Sequence, residues 1–313
     1  MLAYILRRLL ATVPVMALVM LIIFSLLFIA PGDPAALIAG DQATSEDLAR
    51  IRAKLGLDEP FVTRFAEWAW NVVQLDLGTS IFTNTPVTEL IAQRTGATLS
   101  LMGLTLLISV SIAVPMGVLA AWKAGGWFDR FIMSFAVFGF SLPVFVVGYL
   151  LAFVLGVQLD WLPIQGYVPL EEGVLEWLSR IILPALTLSC GYIALIARIT
   201  RAAMLEVLQQ DYVRTGRAKG VNDGRLLFVH SLKNASIPIV TVIGLGVASL
   251  IGGAVATESV FAIPGLGRLV VDAIMRRDYP VIQGVVLLCS FVYVMVNLLV
   301  DISYSLFDPR IRY

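Results

Sequence analysis

The chain has one histidine, His230, and two cysteines, Cys190 and Cys289, in 313 residues. A single histidine excludes most histidine-based metal or catalytic clusters. The two cysteines lie far apart inside apolar runs, and no CxxC pair exists, so nothing points to a redox site, a zinc site or a disulfide framework. Charge is scarce as well: 14% of residues are Asp, Glu, Lys or Arg, against about 25% in an ordinary soluble domain. No G-x-x-x-x-G-K-[ST] stretch is present to cradle ATP phosphates, and no H-E-x-x-H to hold a catalytic zinc. No Ser or Asp pair is marked as catalytic by its spacing. Any work this chain performs must draw its energy from another molecule.

What is abundant is apolar surface. Hydrophobic residues make up 59% of the chain and the mean hydropathy is +0.89, which places it among integral membrane proteins. The formal net charge is zero, but the charges are sorted by segment. Apolar segments of spanning length occur at 9–30, 98–121, 131–155, 181–200, 239–257 and 281–306. Each is expected to be helical, because lipid cannot satisfy free backbone groups. The first run follows Arg7 and Arg8 and has 22 residues. A signal-peptide core has roughly 7–15, so this run reads as a retained span.

The links between the spans alternate in charge. Arg7 and Arg8 precede the first span, and Lys123 and Arg130 flank the link between the second and third. The 198–238 link holds seven Lys/Arg against three acids, and the tail has Arg310 and Arg312. The other links are not basic: 31–96 has nine acids against five bases, 156–180 has four acids and one Arg, and 258–280 is balanced. By the positive-inside rule both termini and the 198–238 link are expected on the cytoplasmic side. The chain then divides into a first transmembrane helix (1–30), an extended periplasmic helical segment (31–96), a five-span core (97–306) and a short cytoplasmic tail (307–313).

The 31–96 segment has internal order. Pro31-Gly32-Asp33-Pro34 stops the first helix. Thr44 to Asp47 resembles a capping box, and Leu48, Ile51 and Leu55 form an apolar stripe closed by Gly56. Pro60 starts another helix, with Phe61, Phe65, Trp68 and Val72 on one side. Trp68 and Trp70 fit a helix lying at the membrane surface; the same stripe fits a small subdomain packed on the spans.

Within the spans, Gly244, Ala248, Gly252 and Ala256 recur every four residues, which suits close helix packing or a pathway-lining face. Pro143 and Pro184 are expected to bend or start helices. Arg198, Arg201 and Asp301 sit near cytoplasmic ends, where long or flanking charges reach water, and Glu258 sits at the outer end of the fifth span. No mid-membrane chain of carboxylates or histidines is apparent, which argues against ion-driven transport.

The basic link is the most informative stretch. Arg198 to Leu208 continues a helix out of the membrane. Asp211 starts a short helix over about 211–219, Gly216 and Gly220 punctuate it, and Val221-Asn-Asp-Gly224 turns the chain. A second amphipathic stretch, Arg225 to Lys233, returns to Pro238. A short basic helix is thus held away from the membrane between two stems.

The letters of that link, Asp211-Tyr212-Val213-Arg214-Thr215-Gly216-Arg217-Ala218-Lys219-Gly220 and then His230-Ser-Leu-Lys-Asn-Ala-Ser-Ile-Pro238, resemble the EAA loop of importer-type ABC permeases. Within these the chain is similar to the first, B-type subunit of the dipeptide/oligopeptide/nickel family. The resemblance extends to Pro31-Gly-Asp-Pro34, Asp76-Leu-Gly-Thr-Ser80, Pro86-Val-Thr-Glu-Leu90, Glu258 through Arg268, Arg277-Asp-Tyr-Pro280, Val296 through Ile302 and Asp308 through Tyr313. Gly216 departs from the family's usual Ala, and Gly96 from its Arg-x-Pro-Ala-Thr. The resemblance implies an all-α integral membrane fold of the type I ABC importer permease kind with six transmembrane helices. It implies that 211–220 is a coupling helix seated on a cytoplasmic ATPase. It further implies a second homologous permease subunit, one or two cytoplasmic ABC ATPase subunits, a periplasmic or extracellular substrate-binding protein and surrounding membrane lipid, with no nucleic acid. The chain would be non-catalytic, with no cofactor or metal of its own and with ATP and Mg on its partners, in a bacterial or archaeal cytoplasmic membrane. A stand-alone secondary transporter or channel is the alternative reading.

Overall fold

The computed structural model of the chain describes residues 2–29, 44–46, 52 and 59–307. The expected stop at Pro31 to Pro34, the stripe of Leu48, Ile51 and Leu55, Asp47 of the capping box and the tail from Asp308 lie outside the described residues. Among the described residues the regular structure is helical, apart from an isolated antiparallel bridge between Thr79 and Pro86. The helices are α1 (Leu2–Ile29), α2 (Phe61–Val73), α3 (Val87–Trp122), α4 (Trp127–Ser141), α5 (Val144–Leu151), α6 (Val174–Leu208), α7 (Asp211–Ala218), α8 (Ser236–Val260), α9 (Leu266–Arg276) and α10 (Tyr279–Phe307). A π-helical stretch, Ala152–Gln158, extends α5, and a second, Leu226–Ser231, lies between α7 and α8.

Five helices are long and apolar enough to cross a membrane, and the α4–α5 pair, bent by 103°, makes up to six. The six apolar segments of the sequence are therefore helices, with one correction. The third is bent at Pro143, as its sequence leads one to expect. Pro143 has no N–H for the Gly139 carbonyl and adopts φ −59°, ψ 137°, so the helix ends at Ser141 and restarts at Val144. The fourth does not start at Pro184. α6 begins at Val174, after Gly173 at φ 146°, and Pro184 lies buried inside it. Neighbouring helices can re-satisfy the backbone group that such a proline frees. α3 also begins earlier than the span read from hydropathy, because the polar turns from Val87 to Arg94 are helical.

The chain forms two compact units, residues 7–93 with 269–291, and residues 1–6 with 94–268 and 292–313. In the first, the stripe of α2 packs on Phe24 of α1: its ring lies 5.4 Å from Phe61, 5.6 Å from Phe65 and 5.4 Å from Trp68. The α2 stripe thus packs against a span and stays half-buried, while Trp70 is exposed. The same unit buries Ser80, whose hydroxyl donates to Asp278 Oδ2 at 2.5 Å, and Asp278 Oδ1 accepts from the Ile81 N–H at 3.2 Å. Arg277 precedes it at φ 59°, a left-handed conformation that turns Asp278 inward.

The second unit has three apolar cores. One joins Leu101 of α3, Leu183 and Leu188 of α6, Leu250 of α8 and the turn at Phe261 and Ile263. Another joins Ala113, Ile132, Ile196 and Val242. A third gathers Val118, Met204, Val207, Leu227, Ala235 and Ile239 at the end of the unit that carries α7. Gly117 lets α3 and α6 touch there: a Cβ on it would lie 2.6 Å from Thr200 Cβ. The small-residue stripe of α8 is packed at one part and open at another. Gly244 is filled by Val300 and Ala248 is buried, whereas Gly252 has nothing within 4 Å of a built Cβ.

Candidate functional site: a short basic helix on two stems

The sequence places its candidate residues on one element, and the structure keeps them there. α7 runs from Asp211 to Ala218, with Lys219 and Gly220 ending it. Val213 is buried and Gly216 half-buried. Asp211, Tyr212, Arg214, Thr215, Arg217, Ala218, Lys219 and Gly220 are exposed. Val213 and Gly216, three residues apart, make the inner face, which packs on the π-helical stretch. A Cβ on Gly216 would stand 3.0 Å from Leu226 Cδ1, so glycine allows α7 to sit close.

The helix has favourable charge at both ends and a closed C-terminus. Asp211 is its first residue and puts negative charge in the first turn, while Arg217 puts positive charge in the last, both favourable to the helix dipole. Gly220, at φ 76°, takes the left-handed position after the helix. Its N–H bonds Arg217 O at 3.0 Å, and Val221 N–H bonds Gly216 O at 3.1 Å, the paired bonds of a Schellman close. Asn222 then accepts the Gly224 N–H at 2.8 Å and starts the next turn.

Two stems hold this helix. The first is the end of α6. The second is the stretch from Leu226 to Ala235, whose Asn234 Nδ2 donates to Tyr212 Oη at 2.8 Å. Leu227 and Ala235 of the second stem enter the same core as Met204 and Val207 of the first. The outer face is left basic. Arg214 approaches Asp211 at 3.9 Å and Arg217 approaches Asp223 at 4.0 Å, in pairs open enough to water to contribute little. Phe228 and Val229, beside α7, are exposed apolar side chains. Among the described residues no group of three or more His, Cys, Asp or Glu could hold a metal ion. The arrangement offers a rigid, basic, partly apolar knob rather than reacting groups.

Two buried carboxylates anchor the surrounding bundle, and composition did not single either out. Asp129, in the first turn of α4, is held by Arg201 Nε and by Arg201 Nη2 at 2.7 Å, and accepts the Gly125 N–H at 2.9 Å. Arg201 therefore turns to a partner on another helix rather than simply reaching for water, since a carboxylate buried alone would be costly. Glu258 is fully buried at the end of α8. It accepts the Thr98 hydroxyl at 2.6 Å and the Arg268 N–H at 2.9 Å, and Thr98 in turn accepts the Leu266 N–H at 2.8 Å. A carboxylate thus lies at the N-terminus of α9, where the helix dipole favours it. Gly267 makes the room: a Cβ there would lie 2.7 Å from Val255 Cα. The sequence signal for this cradle was Glu258 followed by the glycines at 265 and 267.

Known proteins share both the sequence and the fold. The family described as "Binding-protein-dependent transport system inner membrane component" matches residues 113–313, and its N-terminal companion matches residues 1–102. The "Probable peptide ABC transporter permease protein" of Sinorhizobium fredii is 54% identical over 99% of both chains. A glutathione transport system permease protein of Pectobacterium atrosepticum is 43% identical over the full length of both. A dipeptide transport system permease protein of Alkalihalophilus pseudofirmus is 38% identical, again over the full length of both. Among solved structures, the inward-facing methionine ABC transporter matches with a TM-score of 0.59 at 16% identity, covering 71% of this chain and 97% of its own, which shows a common fold. The chain belongs to the family of binding-protein-dependent transport system inner membrane components.

Proposed function

We propose that the chain is the transmembrane permease subunit of an ATP-driven, binding-protein-dependent importer of di- or oligopeptides or similar small solutes. It forms half of the translocation pathway and is not itself catalytic. The observation that carries this reading is α7: a capped, eight-residue helix, basic outside and wedged inside, on stems that share one core. A displacement of such a knob passes to α6 and α8 as a rigid movement, which is what biasing two pathway states requires. Phe228 and Val229 beside it fit a partner groove that is apolar at its centre and acidic at its edge.

In this reading α7 sits in a cytoplasmic ATPase subunit, with ATP and Mg bound there. A second, homologous permease completes the pathway, and a soluble binding protein delivers solute on the opposite side. Both termini and the 198–238 link face the cytoplasm of a bacterial or archaeal cell, and residues 31–96 face outward from its inner membrane. The peptide substrate is supported by the names of the peptide and dipeptide relatives. Reconstitution tests the assignment. The four-component complex accumulates dipeptide in liposomes only with ATP and binding protein. Uptake by this chain alone under an ion gradient would instead establish a stand-alone secondary transporter.

A further inference from the structure

The bend between α4 and α5 opens onto a cavity of about 250 Å³ that α7 does not explain. Its walls include Gly139, Leu142, Val144, Tyr192, Ser249 and Gly253. The space exists because two helices, α6 and α8, lack side chains there at Gly191 and Gly253. A Cβ built on Gly253 meets nothing nearer than Leu188 Cδ2 at 3.6 Å, and one on Gly191 nothing nearer than Gly139 O at 3.9 Å. Interrupted backbone at membrane depth is tolerated where it is buried in protein or lines a cavity, and broken helices recur at solute sites in transporters.

The lining decides what can enter. It carries no charged side chain, so it would leave a free carboxylate or ammonium unpaired. Phe140, Val147, Leu188 and Leu195 make it mostly apolar. The Thr187 hydroxyl on its wall donates to the Leu183 carbonyl at 2.9 Å, which leaves the hydroxyl pair Tyr192 Oη and Ser249 Oγ, 2.8 Å apart. Each hydroxyl oxygen has two lone pairs, so acceptor capacity remains beyond the bond between them. The volume falls below the roughly 300–1,000 Å³ of a pocket for a whole small molecule. We infer that this cavity is a side-chain subsite of the translocation pathway, taking one apolar side chain of a passing peptide while the Tyr192–Ser249 pair accepts its backbone N–H.

This inference rests on the peptide-importer reading, and the experiment separates the two. Gly253→Leu fills the cavity from a helix interior where leucine is a better helix former than glycine. In proteoliposomes holding the complete transporter, binding protein and ATP, the ratio of Leu-Leu to Gly-Gly uptake falls about tenfold in Gly253→Leu, the scale of a methylene-sized misfit in an apolar pocket. An unchanged ratio overturns the subsite. Cys190 lines the same cavity and gives a second measurement that leaves its walls intact. In a Cys289→Ser background, turnover with Leu-Leu slows alkylation of Cys190 by a maleimide more than turnover with Gly-Gly. Equal rates overturn the subsite, as does labelling governed by lipid chain length, which would make the cavity an acyl-chain pocket. A wild-type complex that imports neither dipeptide sinks the peptide-importer reading and the subsite with it. Normal uptake with an unchanged ratio sinks the subsite alone.

Discussion

Asn234 donates its side-chain amide to the Tyr212 hydroxyl at 2.8 Å, tying the first turn of α7 to the far stem across 22 residues of chain. Hydrogen bonds of this kind contribute about 0.5–1.5 kcal/mol. Tyr212→Phe and Asn234→Ala are each expected to weaken ATPase attachment to the reconstituted permease by a few-fold. The double variant should do no worse than either single one, because both remove the same bond. Additive losses in a binding titration would show that the two residues act separately.

Charge on the outer face of α7 should matter more than any single bond. Arg214→Glu, Arg217→Glu and Lys219→Glu together reverse the sign of the knob without touching Val213 or Gly216. The triple variant is expected to insert normally and to lose about tenfold or more of the ATPase stimulation given by loaded binding protein, since like charges facing an interface cost several kcal/mol. Full stimulation would remove α7 from the coupling interface.

The two glycines of α7 should respond in opposite ways. Gly220 sits at φ 76° with open space around it, so Gly220→Val is strained by backbone conformation and not by crowding. A non-glycine residue there costs about 1–2 kcal/mol and should loosen the Schellman close. Gly216→Ala gains about 0.5–1 kcal/mol of helix stability and meets only the flexible end of Leu226. Uptake assays should find Gly220→Val impaired and Gly216→Ala near wild type or better.

Glu258 supports α9 from a fully buried position, so its removal strands donors. Glu258→Leu leaves the Thr98 hydroxyl and the Arg268 N–H without their acceptor, at about 1–3 kcal/mol for each buried group. Thr98→Val removes one donor and strands the Leu266 N–H. Both variants, and Gly267→Ala by collision with Val255, should lower the thermal unfolding midpoint of the detergent-solubilised protein. A wild-type midpoint in Glu258→Leu would mean that water replaces the carboxylate without loss.

Hydropathy alone made the spans legible, because lipid imposes helices on any apolar run of that length. Their ends were less legible. Val87 to Arg94 and Val174 to Arg180 are helical yet polar enough to read as link, since a helix continues past the apolar slab wherever its backbone bonds are met. Pro143 marked the break in the third span, but the bend of 103° depends on tertiary packing. α7 was readable because its signals are local: an acid at the start, glycines at the end, basic residues between. Asn234, Asp129 and the Glu258 cradle were not, because each acquires its meaning from a residue on another element. No sequence period relates Asp129 to Arg201, or Thr98 to Glu258.

The bond from Ser80 to Asp278 spans 198 residues of chain. At roughly 5–20 residues per second, synthesis delivers the partner about 10–40 seconds after the serine. During that interval the segment around Ser80 has no acceptor at its final place, and the intervening spans must enter the bilayer before the unit can close. Completion of this unit is thus a late event in biogenesis, gated by insertion of α10. Chains truncated before Asp278 should expose the 59–86 segment to proteases even when every earlier span is already in the membrane.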